Sequence, residues 1–71
     1  MNAEELLRKK RQLLLQDPES GKIFSAVIDK NKVSPNGQYI FIGDFFSDTA
    51  QGWYPVDFIS KCVIDILNEF E

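Results

Sequence analysis

The chain has 71 residues, 44% of them hydrophobic and 13% aromatic, with no histidine and a single cysteine, Cys62. That length allows one domain over residues 1–71 with a small core, and the apolar content is too high for a disordered tail. The missing residue types exclude an intramolecular disulfide, a histidine-based triad and the nitrogen and sulfur ligand sets of zinc or copper, so no metal and no cofactor is expected.

The net charge of −3 is unevenly spread. Residues 1–16 carry Arg8, Lys9, Lys10 and Arg11 against Glu4 and Glu5, for +2, whereas from Asp17 onward four lysines stand against nine carboxylates, for −5. Such asymmetry orients a molecule toward a charged partner or lets the ends of two copies attract one another. The start, Met1-Asn2-Ala3-Glu4-Glu5, lacks the basic and apolar regions of a secretory signal. No stretch approaches the ~18 consecutive apolar residues of a membrane span. A soluble, cytoplasmic protein without membrane association is expected.

In chain order, residues 3–16 predict a helix. Asn2 is placed to cap it, Glu4 and Glu5 suit its first turn, and apolar residues at 3, 6, 7, 13 and 14 fall on one stripe. Asp17-Pro18-Glu19-Ser20-Gly21 then stops it. Residues 22–33 and 38–46 are rich in β-branched and aromatic side chains and flank Ser34-Pro35-Asn36-Gly37. Proline at the first central position of a type I turn, followed by a glycine free to take positive φ, predicts a hairpin closed by a bulge. Its register sets Val33 opposite Tyr39, Asn31 opposite Phe41 and Val27 opposite Phe45. Both faces of that hairpin are substantially apolar, so each requires a cover.

Residues 47–53 read as a loop, and Pro55 begins a second helix that runs to about Phe70. Its apolar arc is wider than one side of a small core needs. The predicted fold is therefore α+β, an α-β-β-α chain with an antiparallel hairpin packed on two helices and completed by dimerisation. The motifs SPNG and WYP are too short to identify a family.

Catalytic signals are weak. Cys62 lies in an apolar stripe with no basic neighbour to activate it, and Asp44 and Asp48, near Ser47 and Thr49, read as turn and capping residues. Gly43 and Gly52 fit no phosphate-binding pattern. No enzymatic activity is expected. Arg8, Lys9, Lys10 and Arg11 form the candidate nucleic-acid contact, but consecutive residues spread around a helix and the acidic remainder repels phosphate.

Protein binding is the favoured function. Trp53, Tyr54, Tyr39, Phe41 and Phe45 are the candidate contact residues, because aromatic side chains dominate binding energy at interfaces. The expected protein is a non-enzymatic adaptor or inhibitor, of the size that phages and other mobile elements often encode. It acts as a homodimer by occupying the surface of another protein, with a small nucleic-acid-binding regulator as the alternative.

Overall fold

The computed structural model describes residues 1–43 and 52–70. Within them the chain is an α+β domain of two antiparallel sheets and two short helices. Helix α1 covers only Ala3–Leu6, and the Asn2 side chain caps it by accepting the Glu5 N–H at 2.8 Å. After a turn the chain becomes a strand, β1, at Arg11–Gln16. The predicted helix over residues 3–16 is thereby corrected. Leu13 and Leu15 are buried while Gln12 and Leu14 are half-buried, which is the two-residue period of a strand. The reason lies in tertiary pairing. An isolated helix of about 14 residues is marginal in water, whereas β1 is hydrogen-bonded on both sides by other strands.

The segment after Gln16 turns a hairpin instead of ending a helix. Asp17 N–H donates to the Lys22 carbonyl at 2.9 Å, Gly21 N–H donates to the Asp17 carbonyl at 2.8 Å, and Gly21 takes φ +75°. Strand β2, Ile23–Ile28, then pairs antiparallel with β1 so that Leu13 faces Ala26 and Leu15 faces Phe24. A turn at Asp29, whose carboxylate accepts the Asn31 N–H at 2.9 Å, ends β2 five residues short of the predicted limit at Val33.

The Ser34–Gly37 turn forms. Gly37 N–H donates to the Ser34 carbonyl at 2.8 Å and Gly37 takes φ +73°. Beyond it, Val33 bridges to Ile40, one position from the predicted partner Tyr39, and the pairing reaches only as far as the Phe41 N–H to Lys32 carbonyl bond. The long hairpin of residues 22–33 with 38–46 is corrected to this stub, because Ile23–Ile28 is committed to β1. The pairing of Val27 with Phe45 falls on a residue outside the described ones.

Strand β3, Tyr39–Ile42, pairs instead with β4, Gly52–Pro55, part of which was predicted as loop. Helix α2 follows at Val56–Cys62, entered through Pro55 at φ −57°. It does not continue to Phe70. From Val63 to Glu69 the chain is a strand, β5, antiparallel to β1. The β-branched residues Val63, Ile64 and Ile66 favour extended backbone, and the open edge of β1 supplies the hydrogen bonds. The first sheet is thus ordered β2-β1-β5 and the second is β3-β4.

Both sheets and both helices contribute to one core. Leu13, Leu15, Ala26 and Ile28 come from the first sheet, Ile40 and Ile42 from the second, Leu6 from α1, and Val56, Ile59 and Cys62 from α2. The predicted α-β-β-α order is replaced by α1-β1-β2-β3-β4-α2-β5 among the described residues. No helix among them is long and apolar enough to cross a membrane.

Candidate functional site

Strand alternation sorts the candidate aromatic residues. In the β3-β4 sheet Ile40 and Ile42 face the core, so Tyr39 and Phe41 fall on the opposite face. Register places Trp53 directly across from Phe41 and Pro55 across from Tyr39. The outer face of this sheet therefore gathers Tyr39, Phe41, Trp53 and Pro55. The Trp53 indole meets the Phe41 ring edge to face, with centroids 5.6 Å apart and planes at 66°. Such a pair contributes about 0.5–1.5 kcal/mol beyond its buried area and fixes the position of both rings.

Trp53 nevertheless remains 56% exposed and Tyr39 43% exposed. Gly43 assists the arrangement, because a Cβ there would lie 2.8 Å from the Phe41 ring. Beside Tyr39 a shallow hollow of about 390 Å³ is lined by Ala3, Gln38, Val56 and Asp57. Exposed, fixed aromatic rings next to a recess with a carboxylate are suited to receiving an apolar side chain and a polar group of a protein partner.

The other candidates separate from this face. Tyr54 lies on the core side of β4, packed against the core and lining a cleft of about 180 Å³ with Phe24, Ile42, Phe58 and Cys62. Phe45, Asp44, Ser47, Asp48 and Thr49 lie outside the described residues. Cys62 is buried in α2, and its thiol is pushed up from its ordinary value, chiefly by burial and further by the negative charge of Asp17. A protonated, enclosed thiol is a poor nucleophile.

The four basic residues do not share a helix. Arg8 follows α1 and is exposed, Lys9 pairs with Glu69 at 3.4 Å, and the Lys10 ammonium sits 5.8 Å from the Phe70 ring centroid. Arg11 is the surprise, at 7% exposure in β1. Its guanidinium donates to the Glu5 carbonyl and to the Met1 sulfur, while Nε has no hydrogen-bond partner among the described residues. Only part of the basic run is thus presented to solvent.

A second apolar surface escaped the sequence reasoning. Along β5 and just past it, Ile64, Ile66, Leu67 and Phe70 are each 43–49% exposed. The visible sign was the over-wide apolar arc of the predicted second helix, which is the signature of a strand with apolar residues toward both sides. Compared with known proteins, the chain matches no protein-family model, no curated protein and no solved structure.

Proposed function

We propose that this protein is a non-enzymatic interaction module that binds another protein through the outer face of its β3-β4 sheet. The observation that carries this reading is the aromatic face of this sheet, where Tyr39 and Trp53 are exposed and the half-buried Phe41 ring holds the Trp53 indole edge to face. Contiguous aromatic rings cost free energy in water, and when buried at the centre of an interface they supply most of its binding energy. Their rigidity lowers the entropy lost on binding, since the Phe41 contact already restricts Trp53. An adaptor or inhibitor works by such occupation of a partner's surface. The acidic balance of the chain favours a partner with a basic rim around its docking site.

Affinity capture from the native host, after nuclease treatment, tests this reading with two variants beside the natural chain. Trp53→Ala removes the most exposed ring, and the triple change Arg8→Ala, Lys9→Ala, Lys10→Ala removes the solvent-reached cations of the basic run. A specific protein partner should be lost with Trp53→Ala and kept with the triple variant. Capture that depends on nucleic acid and disappears with the triple variant would overturn the proposal in favour of a nucleic-acid regulator.

A further inference from the structure

We infer that the cleft between α2 and the strands β2, β3 and β4 is a binding site for a small aromatic amine, its ring held by the apolar walls and its ammonium by Asp17. The site lies on the core side of β4, behind the aromatic face, and does not depend on the protein contact proposed there. Tyr54 lines it, while its neighbours Trp53 and Pro55 stay exposed on the other side of the strand.

The cleft is built from two directions. Helical spacing sets Phe58 and Cys62 one turn apart on the same side of α2, with Ile59 beside them, and the strands contribute Phe24, Ile42 and Tyr54. Ile42, Ile59 and Cys62 are buried, Phe24 and Tyr54 are half-buried, and Phe58 is 42% exposed at the rim. These residues enclose about 180 Å³. An apolar cavity of about 150 Å³ holds a benzene molecule, so the volume fits one six-membered ring. The aromatic side chains of Phe24, Tyr54 and Phe58 offer edges and faces to such a ring.

Asp17 selects the charge of the guest. It lies two residues beyond Leu15, so the period of the strand brings it to the same side, where it lines the cleft. Among the described residues that line the cleft, no other is charged. Its Oδ1 accepts the N–H of Glu19 at 2.8 Å and that of Ser20 at 3.4 Å, and it makes no ion pair among the described residues. The Glu19 N–H is the largest influence holding this carboxyl below its ordinary value, and Lys22, across the turn, is the smallest. The negative charge also reaches into the cleft, since it adds to burial in raising the Cys62 thiol. An ammonium at the mouth is attracted by this charge, and a carboxylate is repelled.

The size of the guest sets its affinity. A ligand of about eight non-hydrogen atoms binds such a site with Kd on the order of 0.1–1 mM. Partly exposed ion pairs add little, so an ammonium at the wet mouth improves on the uncharged ring by roughly 2–5-fold, and replacing it with a carboxylate weakens binding by roughly tenfold.

Titration of the full chain with benzylamine, toluene and benzoate, followed by the methyl NMR signals of Ile42 and Ile59, tests the inference. Benzylamine should shift both signals and saturate, with toluene weaker by roughly 2–5-fold and benzoate by roughly tenfold, while the Trp53 indole signal stays in place. Asp17→Asn keeps an oxygen acceptor for the Glu19 N–H and should lose the difference between benzylamine and benzoate. Should that variant fail to fold, salt replaces it: raising NaCl from about 0.02 to 0.5 M should shrink the same difference in the natural chain. Signals of Ile42 and Ile59 that do not move at about 10 mM benzylamine would overturn the inference. So would toluene or benzoate binding as tightly as benzylamine, or a preference for benzylamine that survives Asp17→Asn.

Discussion

Truncating neighbouring leucines of β1 distinguishes a strand from a helix at this position. Leu15 is fully buried in the middle strand, with Phe24 as its partner on one side and Val63 on the other. Leu14 faces the opposite way, is half-buried, and pairs with Ser25 and Asp65. Leu15→Ala loses the transfer free energy of its removed methyl groups and leaves a cavity, about 3 kcal/mol within the observed range of about 2–5. For a chain this short, total stability is on the order of 4–10 kcal/mol, so the change removes a large share of it. The melting temperature should fall by roughly 12–24 °C. Leu14→Ala should cost about 1 kcal/mol or less, because solvent already reaches that side chain. Urea denaturation at one fixed protein concentration, followed by circular dichroism, gives both values. In a helix over residues 3–16, Leu14 would be inside and Leu15 outside. A larger loss for Leu14→Ala than for Leu15→Ala would therefore refute the strand and its register.

Other substitutions probe individual features. Arg11→Met should leave stability unchanged or raise it by about 1 kcal/mol in chemical denaturation, since it exchanges a buried, incompletely satisfied charge for an unbranched apolar chain that reaches as far as the arginine Nε. Gly37→Ala should cost about 1 kcal/mol, because φ is +73° there; a Cβ meets nothing within 4 Å, so the loss is one of backbone conformation. The Glu19 N–H donating to Asp17 holds that carboxyl below its ordinary value, so its contribution to stability is present above that value and is lost as pH falls through the depressed one. Denaturation curves measured across acid pH should show Asp17→Asn losing that part of the decline. Cys62 should react with a thiol reagent much more slowly in the folded chain than in denaturant, because the folded thiol is both buried and protonated.

The features legible in the sequence were those whose chemistry is local. Asn2 capping a first turn, Gly37 at positive φ after Pro35 and Asn36, and a helix entered through Pro55 each depend on a few adjacent residues. The strands β1 and β5 depend on each other across more than 45 residues, and neither announces itself alone. Leu13-Leu14-Leu15 is an unbroken apolar run that fits a helix stripe as well as a strand, and only burial of Leu13 and Leu15 resolves it. Val63 to Leu67 continued a helical pattern by accident of spacing. Four of its five residues are apolar, and that density was the trace of a strand exposed at a sheet edge.

The candidate site was half visible for the same reason. Aromatic identity marked Tyr39, Phe41 and Trp53, but their meeting on one face required β4, which Gln51-Gly52 disguised as loop. Tyr54, adjacent in sequence to Trp53, goes to the core side because strand neighbours alternate. The basic run looked continuous in sequence and was divided by the fold, with Arg11 drawn into β1 and Lys9 paired to Glu69.

The claim that the aromatic face docks a protein is tested most directly by the emission of Trp53, the only tryptophan in the chain. Titrating the purified captured partner into this protein should shift that emission to shorter wavelength and saturate as the indole leaves water. Trp53→Ala should weaken binding by roughly 30-fold or more, the loss of a central interface aromatic. A partner that binds with full affinity while Trp53 emission stays unchanged would contradict the assignment of this face.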